Sequence, residues 1–183
     1  MTKKVVVLMG SPRENGNTNI LCDEFIKGAK TTGANVNKII IQDQNINYCI
    51  GCSSCYKQGE KYCVIFDDDM RYILDEMDKA DVIVFASPLY FYTITGQMKT
   101  LIDRMTPRYQ DLHDKEVYFL SCGITGSQDN FNRAIEDFRG LLDCMPSPKE
   151  KGMVLATGVW EEGEINNTKF VQEAYELGKT VDD

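Results

Sequence analysis

The sequence predicts a doubly wound α/β fold: a three-layer sandwich with a five-stranded parallel sheet between two layers of helices. Three observations predict it. Short, β-branched apolar runs recur along the 183 residues. Between them, apolar residues fall at i, i+3, i+4 and i+7, the period of a helix with one buried face. The third run, Asp81 to Ser87, is almost continuously apolar, as a strand covered on both faces must be. Strands that alternate with helices imply a parallel sheet, because parallel neighbours need a crossover.

The first strand is Val5-Val6-Val7-Leu8-Met9. Lys3-Lys4 ahead of it superficially suggests a secretion signal. The apolar run is too short for one, and Ser11-Pro12-Arg13-Glu14-Asn15 follows at once. Ile20, Leu21, Phe25 and Ala29 mark the first helix, which Gly33 ends, and Val36 to Ile41 is the second strand. Residues 42–66 form a long irregular stretch. Met70, Ile73, Leu74 and Met77 give the second helix. Asp67-Asp68-Asp69 before it could suggest a metal, but read better as N-cap and dipole complement. Pro88 stops the third strand and residues 88–95 form a loop. Met98, Leu101, Ile102 and Met105 mark the third helix, with Asp103-Arg104 expected as an ion pair on its surface or at an interface. Lys115 to Cys122 is the fourth strand. Phe131, Ile135, Phe138 and Leu142 mark the fourth helix, Gly152 to Val159 the fifth strand, and Phe170, Ala174 and Leu177 a last helix. No repeat or low-complexity linker interrupts this series, so residues 1–183 read as one domain.

Charge excludes some partners. The net charge is −8, from 20 basic and 28 acidic residues. That argues against nucleic acid or an anionic membrane, both of which attract basic surfaces. No apolar run approaches a membrane span. Seven cysteines, an odd number unevenly spaced, do not look like a secreted disulfide framework, and a cytoplasmic location is expected.

The stretch Gly10-Ser-Pro-Arg-Glu-Asn-Gly-Asn-Thr18 joins the first strand to the first helix. Backbone N–H groups of a first helical turn lack internal partners, and the helix dipole favours negative charge there. Ser11, Asn15, Asn17 and Thr18 offer hydroxyl and amide contacts, and Arg13 a cation. The dinucleotide fingerprint G-x-G-x-x-G is absent. Walker A fails too, because five residues separate Gly10 from Gly16 and Asn17 stands where its lysine would be. What remains suits a single terminal phosphate. The plainer alternative is a helix N-terminus capped by Asn17.

After the third strand comes Pro88-Leu89-Tyr90-Phe91-Tyr92-Thr93-Ile94-Thr95-Gly96. Three consecutive aromatics cannot all enter one core, so at least one lies across the rim. A flat, partly apolar ring such as isoalloxazine needs such a surface. Closing the core or a subunit interface is the alternative. Gly123, opening the loop after the fourth strand, could border the same ring. The only histidine, His113, precedes the fourth strand and reads as a surface or loop residue; no G-x-S-x-G elbow occurs.

Cys49-Ile50-Gly51-Cys52-Ser53-Ser54-Cys55 is C-x₂-C-x₂-C, with Cys63 after seven more residues. Thiolates so spaced can wrap one small inorganic core, with Gly51 and Gly59 allowing sharp bends. Zinc more usually takes two distant C-x₂-C knuckles. The other readings are small buried residues, thiols near a ring, and a reversible disulfide. Cys22, Cys122 and Cys144 read as packing cysteines.

Four stretches together resemble the flavodoxin-like NADPH-dependent FMN reductases and iron–sulfur flavoproteins. They are Gly-Ser-Pro-Arg-x-x-Gly-Asn-Thr at 10–18, Cys49 to Cys63 with Asp68-Asp69-Met70, Ser87-Pro88-Leu89-Tyr90-Phe91, and Gln97-Met98-Lys99-x-x-Ile102-Asp103-Arg104. The resemblance implies one flavodoxin-like domain of strand order 2-1-3-4-5, with a cysteine-rich insertion at about 45–66. It implies FMN held by the loops after strands one, three and four. It also implies NAD(P)H as co-substrate and a small-molecule or protein electron acceptor. The flavin would carry the chemistry, so no protein acid or base is required. A [4Fe–4S] cluster on Cys49, Cys52, Cys55 and Cys63 is implied by the iron–sulfur branch, although Val64 stands where ferredoxins place proline. A non-catalytic electron carrier is the alternative function. Tyr90 to Tyr92, if exposed, suit a homodimer or higher homo-oligomer that covers the flavin.

Overall fold

In the computed structural model, which describes residues 2–182, the apolar runs pair into one five-stranded sheet. The strands are β1 (Lys4–Met9), β2 (Asn35–Ile40), β3 (Val82–Pro88), β4 (Glu116–Cys122) and β5 (Lys149–Ala156). Every pairing is parallel and the order is β2-β1-β3-β4-β5, the flavodoxin-like order. The helices are α1 (Asn17–Thr31), α2 (Ser54–Gln58), α3 (Met70–Lys79), α4 (Gly96–Asp103), α5 (Asn132–Leu142) and α6 (Lys169–Lys179).

Alternation along the strands divides the core between two faces. Val6, Leu8, Ile83, Phe85, Val117 and Phe119 point towards α3, α4 and α5, where the Phe119 and Phe138 rings stack 4.8 Å apart. Val5, Val7, Val82, Val84, Tyr118 and Leu120 point towards α1 and α6, where Phe25 meets Tyr118 edge-on at 5.2 Å. On that face α1 and α6 cross in close contact. A Cβ on Gly28 would clash with the carbonyl oxygen of Tyr175, and one on Gly178 with that of Phe25. Only glycine lets the two backbones approach so closely.

The structure moves several boundaries. β5 begins at Lys149, three residues before the predicted start, and ends at Ala156 instead of Val159. It is an edge strand, and its opening Lys-Glu-Lys is the charged signature that hides such a strand from an apolar pattern. Pro88 is the last residue of β3, paired in register with Cys122. A strand's end tolerates its missing N–H. The irregular 42–66 stretch contains the short helix α2, bracketed by Ser53 and Gly59 in left-handed conformation (φ 56° and 66°).

The acids before α3 act only in part as predicted, Asp68 Oδ1 accepting from Met70 N (3.3 Å) at the helix start. Asp69 occupies the N-cap position without a side-chain cap. Asp68 also takes a buried two-pronged ion pair from Arg104, with Nη1–Oδ2 at 2.7 Å and Nη2–Oδ1 at 2.9 Å. Arg104 is 3% exposed, so the predicted surface pair with Asp103 is incorrect; Asp103 pairs with Lys99. Arg104 also donates to Asn47 O, and Asn47 N donates to Asp68. Asn45 and Asp69 bond reciprocally beside them. Both roots of the cysteine-rich insertion are therefore fastened at one point. Cys144 is exposed and is no packing cysteine, whereas Cys22 and Cys122 are buried.

Candidate functional site

The β1–α1 turn coils tightly. Arg13 N donates to Ser11 Oγ (3.1 Å) and Gly16 N to Arg13 O (3.2 Å). A Cβ on Gly16 would come within 2.9 Å of Arg13 Cβ. Gly16, not Asn17, is the N-cap, and it has no side chain to cover the first-turn N–H groups. They stay available to a ligand. Ser11 and Thr18 are buried beneath them. Ser11 Oγ accepts one bond and keeps its proton to donate. Thr18 Oγ1 shares a hydrogen bond with Cys122 Sγ (3.1 Å), and burial pushes that thiol up to about 11, so it stays protonated at neutral pH.

Two side chains of this loop face elsewhere than expected. The Asn17 amide donates through Nδ2 to Glu161 O (2.8 Å), and its Oδ1 accepts from Ile165 N (3.3 Å). Arg13 Nη1 donates to Trp160 O (2.8 Å), with the guanidinium 5.6 Å from the Trp160 ring centre.

Tyr90 and Thr93 exchange both backbone hydrogen bonds, which makes a two-residue hairpin. Its central residues, Phe91 (φ 49°) and Tyr92 (φ 66°), both lie in the left-handed region. Aromatic residues rarely adopt it, and turns of this kind favour Asn-Gly. Thr93 Oγ1 is tied to the Asp137 carboxylate on α5. All three aromatics are at the rim and Phe91 is 98% exposed.

The carboxyl edge of the sheet brings most of these groups together. Ser11, Arg13, Asn17, Thr18, Pro88, Leu89, Tyr90 and Gly123 line one tight depression with Cys122, Ile124, Val159 and Trp160. A neighbouring cleft of ≈ 410 Å³ is lined by Arg13, Leu89, Tyr90, Phe91, Tyr92, Ile124, Thr125 and Trp160. Asn15 lines neither. Trp160 and Cys122 were missed in the sequence. Cys122 looked like packing because it ends a buried strand. The signal for Trp160 was a lone tryptophan just beyond the fifth strand.

The four insertion cysteines, Cys49, Cys52, Cys55 and Cys63, line a separate cavity of ≈ 210 Å³, with Asp103, Arg104 and Pro107 in its wall. All four are free thiols. A hydrogen bond from Ser54 lowers the Cys52 thiol. Among the described residues no three His, Cys, Asp or Glu side chains are gathered to hold a single metal ion. His113 is exposed and touches neither cavity.

A parallel sheet of order 2-1-3-4-5, with an uncapped first helix and an aromatic cleft at its carboxyl edge, defines a flavodoxin-like architecture. The family model for NADPH-dependent FMN reductases matches residues 3–155, and the chain belongs to that family. An iron-sulfur flavoprotein of Archaeoglobus fulgidus is 41% identical over 104 residues, covering 57% of this chain and 46% of that protein. One from Methanocaldococcus jannaschii is 35% identical over 149 residues, covering 78% and 74%. The chain thus spans about half the length of the first relative. The NAD(P)H:quinone oxidoreductase from Methanothermobacter marburgensis shares the fold, with a TM-score of 0.78 at 14% identity over 100% of this chain and 98% of that one.

Family membership implies a flavin cofactor. The donor set fits one: uncapped N–H groups, the buried Ser11 and Thr18 hydroxyls, and an adjoining aromatic cleft. The four insertion cysteines share one cavity wall, the residue type a cluster would need.

Proposed function

We propose that this chain is an FMN-dependent oxidoreductase that takes electrons from NAD(P)H and delivers them to a quinone, a flavin or another acceptor. One observation carries the reading. The depression and the cleft share Arg13, Leu89, Tyr90, Ile124 and Trp160, so one ligand with an anionic tail and a flat ring would occupy both. Bound FMN supplies hydride and single-electron chemistry. The protein binds and orients it. The α1 N-terminus, Ser11 and Thr18 hold the phosphate, while Leu89, Tyr90 and Gly123 border the ring. Phe91 and Tyr92 extend the apolar wall beside the ring, and the outer side of the cleft is open to a second substrate. An exposed aromatic rim also suits a homodimer, which light scattering would detect. The decisive test is a visible spectrum of the purified protein, followed by NADPH oxidation with a quinone. A colourless protein that binds no added FMN refutes the reading.

The four-cysteine cavity supports a second reading, an electron-transfer flavoprotein with a [4Fe–4S] cluster on Cys49, Cys52, Cys55 and Cys63. Anaerobic purification should then give a brown shoulder that bleaches on reduction and about four irons per chain, as one such cluster contains. A yellow protein free of iron, and steady turnover of NADPH, would exclude it.

A further inference from the structure

Residues 157–167 lie beyond the segment matched by the family model, yet they reach both cavities. Val159 and Ile165 are buried, and residues 158–165 are fastened to the rest of the protein by five hydrogen bonds. Gly158 N and Val159 N donate to Thr125 O (2.9 Å) and Gly123 O (3.1 Å) of the loop after β4. Arg13 and Asn17 of the β1–α1 turn hold the carbonyls of Trp160 and Glu161, each at 2.8 Å. Ile165 N returns to Asn17. The Glu164 carboxylate closes the segment on itself, accepting from Trp160 N (2.6 Å) and Glu161 N (3.0 Å). The result is a strap across the open end of the sheet. Its one large side chain, Trp160, lines the depression and the cleft and is still 53% exposed. A large indole held half-bare between two buried anchors, with only the Arg13 guanidinium beside its ring, leaves apolar surface for a ligand.

We propose that Trp160 is a cofactor-contacting residue, carried by a strap that Arg13, Asn17 and Glu164 hold shut, and that it retains FMN in the cleft. The proposal rests on the FMN reading of that cleft. It gives Arg13 and Asn17 a role distinct from phosphate contact: their side chains tie the far wall of the site to the near one. Glu164 lines neither cavity and acts on the ligand only through the strap, which makes it a positioning residue.

Trp160 is the only tryptophan, so its emission reports on this wall alone. Flavin absorbs where tryptophan emits. In the FMN-loaded protein, Trp160 emission should be quenched and should recover as flavin is released on dilution. Release, followed by the fluorescence of free FMN, should be about tenfold faster in Trp160→Ala, and unchanged within about twofold in Trp160→Phe, which keeps an aromatic face. Glu164→Ala should also speed release, and Glu164→Gln, which keeps an acceptor oxygen, should restore part of the retention. A yellow protein with unquenched tryptophan, or a Trp160→Ala variant that releases FMN at the parental rate, overturns the strap and leaves the FMN reading standing. A protein that binds no FMN overturns both.

Discussion

Seven thiols experience very different surroundings. Burial pushes Cys22 up to about 12 and Cys122 up to about 11, from an ordinary 9.0. Cys52 is exposed and lowered by its bond from Ser54. Alkylation of cluster-free protein at neutral pH, read by peptide mass, should label Cys52 ahead of Cys49 and Cys144 and leave Cys22 and Cys122 untouched; early labelling of Cys122 contradicts the structure. The raised pair also sets an alkaline limit. Each folded thiol titrates above its unfolded value, so stabilisation is full below pH 9.0 and is lost as pH rises towards 11 and 12. Denaturation midpoints measured from pH 8 upwards should fall across that window. Ser11 and Thr18 were legible as candidates through their hydroxyls beside a helix start, and both line the depression. It could not show that Asn17 and Arg13 turn towards residues 160–165, because that depends on a partner more than 140 positions away.

Two short elements carry opposite kinds of tension. In the Tyr90–Thr93 hairpin, Phe91 and Tyr92 hold left-handed backbone that costs about 1–2 kcal/mol per residue. Replacing the pair by Asn-Gly should raise unfolding stability by roughly that much. The same change should weaken FMN binding, since it removes two aromatics from the cleft. Equal or tighter binding would detach the turn from the cofactor. The Arg104–Asp68 clasp works by attraction. Burial alone would raise the Asp68 carboxyl, but bonds from Arg104 and Asn47 outweigh it and hold the group below its ordinary range. Its stabilisation is thus present above the ordinary carboxylate range and lost as pH falls through the folded value. Arg104→Leu leaves a buried carboxylate unpaired and should cost about 3–5 kcal/mol. It should also expose residues 48–67 to limited proteolysis; unchanged resistance would show that the clasp does not hold the insertion. Periodicity placed the helices that bear these side chains. The pairing escaped it, because Asp103 is the nearer acid in sequence and Asp68 the nearer in space.

For the molecule as a whole, the alternation of strands and helices was enough to read the layers, and the resemblance supplied the strand order. The charged start of β5 and the short α2 were not legible, since an edge strand and a five-residue helix bury too little to leave a period. The contact of α1 with α6 was invisible for another reason: Gly28 and Gly178 matter through what they lack. Gly178→Ala forces a methyl group against the backbone of Phe25. It should lower the unfolding free energy by about 1–3 kcal/mol, as overpacking does, and more if the helices must separate. A neutral result would mean that the crossing relaxes freely.

That crossing, with the strap before it, also orders events during synthesis. The proposed phosphate turn is made more than 140 positions ahead of Trp160 and Glu161 on its opposite wall, and ahead of the helix that braces α1. A nascent chain halted before β5 would carry half a pocket beside an unsupported α1. On the FMN reading, a complete pocket therefore has to wait until the β1–α1 turn and residues 157–167 have met.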